Sequence, residues 1–535
     1  MLPQRPAASH RHARLVCSQP FRDNALPLPF MPTATPSHPM PRAAHLKWLG
    51  AALVAMIGYF CFMQHRGDPA QLFWDENYHV TSAQRYLEGY AQLTPHPPLG
   101  LLLIAAGERL SGANEGIDKH VLTLRKSITG EELPAQFDFS GMRLIPSLFA
   151  VLGALAFYGL MLEVTGTALP ATLLSGLFLF ENAFVTHFRA VHLEGIQMAF
   201  MVAAVWLFVR SWKRAPLAGP GRCAALTGLC TLAILVKANA VFLLLMPLLL
   251  ALRDLQLRDE PITQRVRQLL VAATASLVTA LATVFLVMLT HVLVSHRMPD
   301  LQTPSGTQDF GGMSLEYRQY AAGRRALSPA LVWSVTLDEL RALGNEHLGA
   351  PRRRLNDPTE NGSPPWHWPF HDRNINYRWD SADGRTAYVE LVGNQLAWYS
   401  GTIAVFASLL LTLRHRLLRR RPSGQPETWQ LIECLTVLYA AFMLMSIVFE
   451  SRRVMYLYHY FPGLMLSYVL LALWWQRGRE ISRKLAQHGT RLLAVVMAVF
   501  LTSYLFFLPL NNHVPLTKTE CERRNIWISY LLDCR

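Results

Sequence analysis

Charged side chains are scarce in this chain. They make up 16% of its 535 residues, against roughly 25% in an ordinary soluble domain. That shortage excludes a water-soluble globule as the whole of the protein. Acids are the scarcer sign, 36 Asp and Glu against 50 Lys and Arg. Few of them stand together apart from Asp75 and Glu76, so no metal site is expected and no cofactor is called for. Cysteine is also rare. The seven Cys form no CxxC and no Cys/His spacing, which excludes a zinc-ribbon or zinc-finger reading. Cys61, Cys230 and Cys434 lie in or beside apolar runs and read as small buried hydrophobes. Cys521 and Cys534 lie in the C-terminal tail, where a disulfide and two free thiols are both open readings. Internal repeats and a strand-rich domain are missing as well.

What is present is apolar sequence in blocks. A bilayer-crossing helix needs about 20 apolar residues at about 1.5 Å each. Runs near 45–63, 143–162, 168–186, 191–210, 224–236, 238–252, 270–294, 396–413, 431–449, 455–474 and 492–510 meet or approach that length. An all-α polytopic membrane protein of about eleven spans is expected. The run "PPLGLLLIAAG" is too short to cross and reads as interfacial or re-entrant. The net charge of +14 is a topology signal. Its basic clusters occupy alternate loops: Lys213, Arg214 and Arg222; Arg253, Arg258, Arg265 and Arg267; Arg414, Arg416 and Arg419 to Arg421; Arg477, Arg479, Arg483 and Lys484. The positive-inside rule places all of these in the cytoplasm. The N-terminus is then inside and the C-terminus outside. No nucleic-acid-binding motif accompanies the charge, so a nucleic-acid partner is excluded.

The expected organisation follows. Residues 1–44, rich in Pro, Arg and His with Asp23 their one acid, form a disordered cytoplasmic tail. Residues 45–295 form an N-terminal catalytic membrane module with a first external loop at 64–142. Residues 296–395 form an external cap, 396–510 the C-terminal helices, and 511–535 an external tail.

This topology gathers polar residues at one rim. Asp75, Glu76, His79 and His96 lie in the first external loop. Glu181, His187, Arg189, His192 and Glu194 cluster around the outer turn between spans three and four. Lys237, Arg452, Arg453, Tyr458 and His459 mark later outer turns. Ionisable residues at membrane depth are costly and are functional candidates. Carboxylates can take a proton, and Arg and Lys can hold a phosphate. Aromatics such as Phe73, Trp74 and Tyr78 suit a sugar face. Together these point to sugar transfer from a lipid phosphate to a hydroxyl.

The motifs then carry a resemblance. "FWDENYH" and "HPPLG" resemble the first-loop motifs of the dolichyl-phosphate-mannose-dependent protein O-mannosyltransferases. "ENAFVTHFR", "GLCTLAILVKAN", "WHWPF", "GNQLAWYSG" and "YLYHYFP" are similar to later segments of that family, in the same order over roughly residues 70–465. The resemblance implies a GT-C glycosyltransferase fold and an external active site. It implies a polyprenyl- or dolichyl-phosphate sugar donor, with mannose as the sugar and a protein Ser/Thr hydroxyl as acceptor. There are departures. His79 follows the acid pair one position late, Leu101 stands where the family has Lys, Glu194 where it has Asp, and Gln395 where it has Pro. The second loop is also too short for the β-trefoil of the eukaryotic enzymes. These features imply a bacterial or divergent member, in the inner membrane with its site facing the periplasm. A glycan or lipid acceptor such as lipid A is the alternative within the same chemistry. A lipid-phosphate transporter is the alternative outside it.

The expected roles are these. Asp75 is the general base, with helix capping as its plain alternative. Glu76 positions the acceptor or helps carry charge. Arg189, Lys237, Arg452 and Arg453 bind the donor phosphate, with snorkelling as the plain alternative. His96, Glu181, Glu194, Tyr458 and His459 bind substrate. Trp366 and Trp368 read as interfacial anchors. Partners are the lipid donor, the acceptor and membrane lipids.

Overall fold

A computed structural model describes residues 42–214, 219–257, 260–349, 351, 361–418, 424–526 and 532–535. The tail reading for residues up to 41 falls outside them, as do Arg258 and Arg419 to Arg421. The first half of the chain contains α1 (Arg42–Gly58), α2 (Glu76–Leu87), α3 (Leu99–Ser111), α4 (Val121–Leu124), α5 (Leu144–Thr165), α6 (Ala168–Leu179), α7 (Asn182–Phe188), α8 (Glu194–Arg214), α9 (Gly219–Val236), α10 (Leu245–Leu257) and α11 (Ile262–Val294). The second half contains α12 (Pro304–Gly312), α13 (Leu315–Ala321), α14 (Pro329–Gly349), α15 (Gln395–Leu418), α16 (Pro426–Glu450), α17 (Phe461–Ile481), α18 (Arg483–Asn511) and α19 (Lys518–Glu522).

Ten helices among the described residues have the length and apolarity to cross a bilayer, and α6 with α7 makes an eleventh as a pair bent by 62°. The protein is therefore a polytopic membrane protein, and each expected span has its counterpart. The two shortest expected spans grow to 18 and 20 residues. Their helices run on through charged ends that find local partners: Asp254 accepts the Gly219 amide and Arg253 lies over the Trp212 ring. The bend in the third span has a polar cause. Glu181 leaves the helix with extended backbone angles, and its carboxylate then caps α7 through the Ala183 amide. Within the bundle, α5 packs on α8 at small residues. A Cβ at Gly159 would stand 2.6 Å from the Trp206 ring.

The first long loop, between α1 and α5, folds as α2, α3 and α4. The short apolar run becomes α3, 13 residues long, at about 20 Å too short to cross.

The second long loop departs further from expectation. After α12, α13 and α14 it forms a hairpin of β1 (Ile375–Ala382) and β2 (Arg385–Leu391). Asp383 and Gly384 make the turn at φ 51° and 72°, the Asp-Gly signal of a two-residue hairpin. A third strand, β3 (Pro515–Leu516), comes from the C-terminal segment and pairs Thr386 with Leu516. Cys521 and Cys534 are joined as a disulfide, which decides between the two open readings. Trp368 is no interfacial anchor. It is fully buried, and its indole N–H donates to the Ser363 hydroxyl at 2.9 Å.

Candidate active site

The chain leaves α1 and turns sharply at Trp74, whose φ of 53° is costly for a bulky residue. That turn sets Asp75 at the start of α2. Asp75 occupies the N-cap position, yet its side chain makes no capping bond. Its Oδ2 instead accepts the Tyr458 hydroxyl at 3.0 Å. Its Oδ1 accepts no hydrogen bond among the described residues, and the side chain is half-buried. The plain capping reading therefore does not account for it.

Tyr458 joins Asp75 to a buried polar chain. Its ring stacks on His187, with centroids 4.9 Å apart, and Lys237 Nζ lies 5.1 Å over its face. Lys237 is ion-paired with Glu194 Oε1. Glu194 Oε2 accepts from His187 Nε2 at 2.9 Å, and His187 Nδ1 accepts the Tyr377 hydroxyl at 2.7 Å. One neutral tautomer of His187 satisfies both bonds. Tyr377 comes from β1, and its ring stacks on Trp74 at 5.0 Å. Burial, with the Asp75 charge next, holds the Tyr377 phenol well above its ordinary value.

Two further imidazoles line this region. His79 Nδ1 donates to the Val191 carbonyl at 2.6 Å, which leaves Nε2 with its lone pair. Burial pushes His79 down despite the nearby Asp75 carboxylate. His192 is fully buried, with neither ring nitrogen bonded, and burial followed by the neighbouring His187 holds it well below its usual range. The His96 ring lies 6.0 Å from that of His79. His459 stacks on Tyr458 at 4.4 Å. Arg453 is half-buried, and its charge reaches both Tyr458 and His459.

Four expected site residues stand elsewhere. Glu76 is fully buried and turned away from Asp75. It forms a two-point pair with Arg143, at 2.7 and 2.8 Å, and accepts the amides of Val191 at 2.7 Å and Phe73 at 3.1 Å. No lone pair is left for an acceptor, so this carboxylate is structural. Among the described residues Glu181 meets no cation. It caps α7 and accepts the Tyr468 hydroxyl and the Asn394 amide. Arg189 donates to the carbonyls of Val185 and Asn511. It lines a separate cavity of about 290 Å³ with His65, Asp68 and Phe73. Arg452 is exposed at its turn. Among the described residues, no group of three or more His, Cys, Asp or Glu is arranged to hold a metal ion.

Sequence reasoning missed Arg143 and Tyr377. Arg143 is a fully buried cation that also gathers the carbonyls of Arg66, Gly67, Pro69 and Gln71. Its only sequence signal is a lone Arg opening a long apolar helix. Tyr377 lies in a strand that the reading did not contain.

Two family models match the chain. One, described as dolichyl-phosphate-mannose-protein mannosyltransferase, covers residues 52–297. The other, the C-terminal four-transmembrane region of protein O-mannosyltransferase, covers residues 345–530. Among curated proteins, the dolichyl-phosphate-mannose–protein mannosyltransferase 4 of Schizosaccharomyces pombe is 26% identical over 167 residues, 31% of this chain and 20% of that protein. The corresponding mannosyltransferase 1 of Candida albicans is 27% identical over 183 residues, 34% of this chain and 19% of that protein. The matched stretch thus spans about a fifth of these relatives' length. A chain of the S. cerevisiae protein O-mannosyltransferase Pmt1-Pmt2 complex bound to the sugar donor superposes with a TM-score of 0.72 at 14% identity. The match covers 91% of this chain and 93% of that one, and it shows a shared fold.

Proposed function

The chain belongs to the protein O-mannosyltransferase family, and from that premise we propose that it moves a mannose from a polyprenyl- or dolichyl-phosphate donor to a hydroxyl acceptor, a protein Ser or Thr side chain. The observation that carries this reading is the Asp75 carboxylate. One of its oxygens is held by Tyr458, and the other accepts no hydrogen bond among the described residues. It stands where the chain leaves the first span, a boundary that a lipid-bound donor and a water-borne acceptor can both reach.

The chemistry needs one base. The acceptor hydroxyl oxygen attacks the anomeric carbon on the side opposite the phosphate. Its proton passes to Asp75 in the transition state. The carbon–oxygen bond to the phosphate breaks, and its electron pair stays on the phosphate, so the anomeric configuration inverts. Phosphate is a good leaving group, and its growing charge calls for fixed cations rather than an acid. Lys237, set by Glu194 and His187, and Arg453 fill that role in this reading. Arg189 and Arg452 fall outside it because neither shares the Asp75 cluster. His96, Tyr458 and His459 form the substrate wall. The described residues of the basic clusters lie at the opposite helix ends from Asp75, which supports a site on the external face, the periplasmic face in a bacterial inner membrane.

The test uses the full chain in nanodiscs, radiolabelled polyprenyl-phosphate mannose, and either a Ser/Thr peptide or a glycolipid acceptor. Labelled peptide is expected. Asp75→Asn keeps shape and can still accept from Tyr458, and it is expected to transfer about 100-fold more slowly, the scale of a lost general base. Near-normal turnover by the folded variant removes Asp75 as the base. Labelled glycolipid alone reassigns the acceptor.

A further inference from the structure

Helix α14 presents two unlike faces. Leu331, Val332 and Val335 are buried against Met288 and Val292 of α11. On the outward face Trp333, Leu337 and Leu340 are 39%, 52% and 59% exposed. Their spacing of four and three residues makes one stripe along the helix. In water such a stripe leaves about half of its apolar surface unburied.

Its depth can be worked out from α11. That helix is 33 residues long and carries Arg265 and Arg267 at its first end. Counting about 20 residues from Gln268 puts the far hydrocarbon edge near Met288. The Trp333 ring lies 6.0 Å from that of Phe285, three residues or about 4.5 Å below this edge. That is the level at which tryptophan is enriched in membrane proteins. The exposed Leu286 and Leu293 of α11 continue the same surface.

The inner face of α14 reaches the candidate active site. Glu339 accepts the Thr94 amide at 3.3 Å and lies 3.2 Å from its hydroxyl. That hydroxyl lies 2.6 Å from the His96 carbonyl oxygen. Nearby, Asp309 of α12 accepts the Leu93 amide and pairs with Lys126. Residues 298–344, which include most of α14, fall between the two ranges that the family models match.

We propose that α14 is an interfacial helix: Trp333, Leu337 and Leu340 dock on the bilayer surface on the Asp75 side, and this docking holds the segment of residues 92–98 in place. The lipid surface is the occupant because the stripe is continuous with the lipid-facing side of α11 and lies at interfacial depth.

Spin labels at Leu337→Cys and Glu346→Cys test the docking, in the full chain in phosphatidylcholine nanodiscs. Cys17 and the half-buried Cys61 and Cys434 are replaced by Ser. At position 337, accessibility to oxygen is expected to exceed accessibility to an aqueous nickel chelate several-fold. At position 346, which opens on an external cavity of about 490 Å³, the order is expected to reverse. Equal nickel access at both positions overturns the proposal. Low access to both reagents at 337 also overturns it, in favour of a protein partner. Hydrogen exchange tests the link. Leu337→Ser with Leu340→Ser is expected to speed exchange of the Leu93 and Thr94 amides at least tenfold while α5 stays protected. Unchanged exchange in the folded variant overturns the link, and α5 protection reports folding independently.

Discussion

Replacing Glu76 with Gln separates structural from catalytic roles within the acid pair. Every partner of Glu76 is a donor: two Arg143 nitrogens and the amides of Val191 and Phe73. Gln supplies one acceptor oxygen and sets an NH₂ donor against a donor at the other position. It also leaves Arg143, 0% exposed, without its countercharge. Removing one partner of a buried ion pair costs about 3–5 kcal/mol. An unfolding entropy of about 2.1 cal/mol/K per residue for 535 residues gives about 1.1 kcal/mol/K. The midpoint should then fall by at least ~3 °C, and by more because a bundle that keeps its helices in lipid has a smaller unfolding entropy. The assay is thermal unfolding in nanodiscs alongside turnover per folded molecule. Asp75→Asn should show the reverse pattern, a near-parental midpoint with lost turnover. A Glu76→Gln protein as stable as the parent but slow in transfer would refute the structural role and return Glu76 to the catalytic set.

Tyr458→Phe removes the hydrogen bond that orients the Asp75 side chain among the described residues. A bond to a charged group contributes about 1.5–3 kcal/mol, so kcat should fall roughly 10- to 100-fold with the KM for donor little changed. An unaffected kcat would mean that Asp75 needs no orienting partner. Glu390, buried in β2 beside Asn374, is pushed up to about 8 by burial, from an ordinary 4.5. The folded state therefore holds this proton more tightly than the unfolded chain. The stability it contributes is present at low pH and lost as pH rises toward about 8. The unfolding midpoint should decline from pH 6 to pH 8.5, and Glu390→Gln should make that decline shallower. An identical slope in the variant would show that Glu390 is already ionised in the fold.

The spans were readable because lipid imposes one local rule: about 20 apolar residues with every backbone polar group satisfied within its own helix. That rule acts on contiguous sequence. It located the ten helices that are long and apolar enough to cross among the described residues, and the bent pair that breaks at Glu181. The hairpin was missed even though Asp383-Gly384 is a local turn signal, because Asn376, Arg378 and Asp380 alternate through β1 and leave it no apolar run. Its third strand comes from residues 515–516, about 130 positions away, a pairing that no local pattern announces.

The functional residues divide along the same line. Hydropathy and charge marked a membrane protein, the resemblance of the ordered motifs marked a glycosyltransferase, and Asp75, Lys237, Glu194 and Tyr458 came under suspicion because ionisable groups beside apolar spans stand out one by one. Their grouping depends on how helices rotate and pack. Asp75 and Glu76 are neighbours in sequence, yet a helix turns about 100° per residue. One carboxylate therefore faces Tyr458 from α17's approach, and the other faces Arg143 at the start of α5. Arg189 belongs to the same turn as His187 but points to Asn511 in a different cavity. Which acid is open, which is neutralised, and which cation shares its pocket were decided only by tertiary packing, because each depends on partners brought together from dozens to hundreds of residues away.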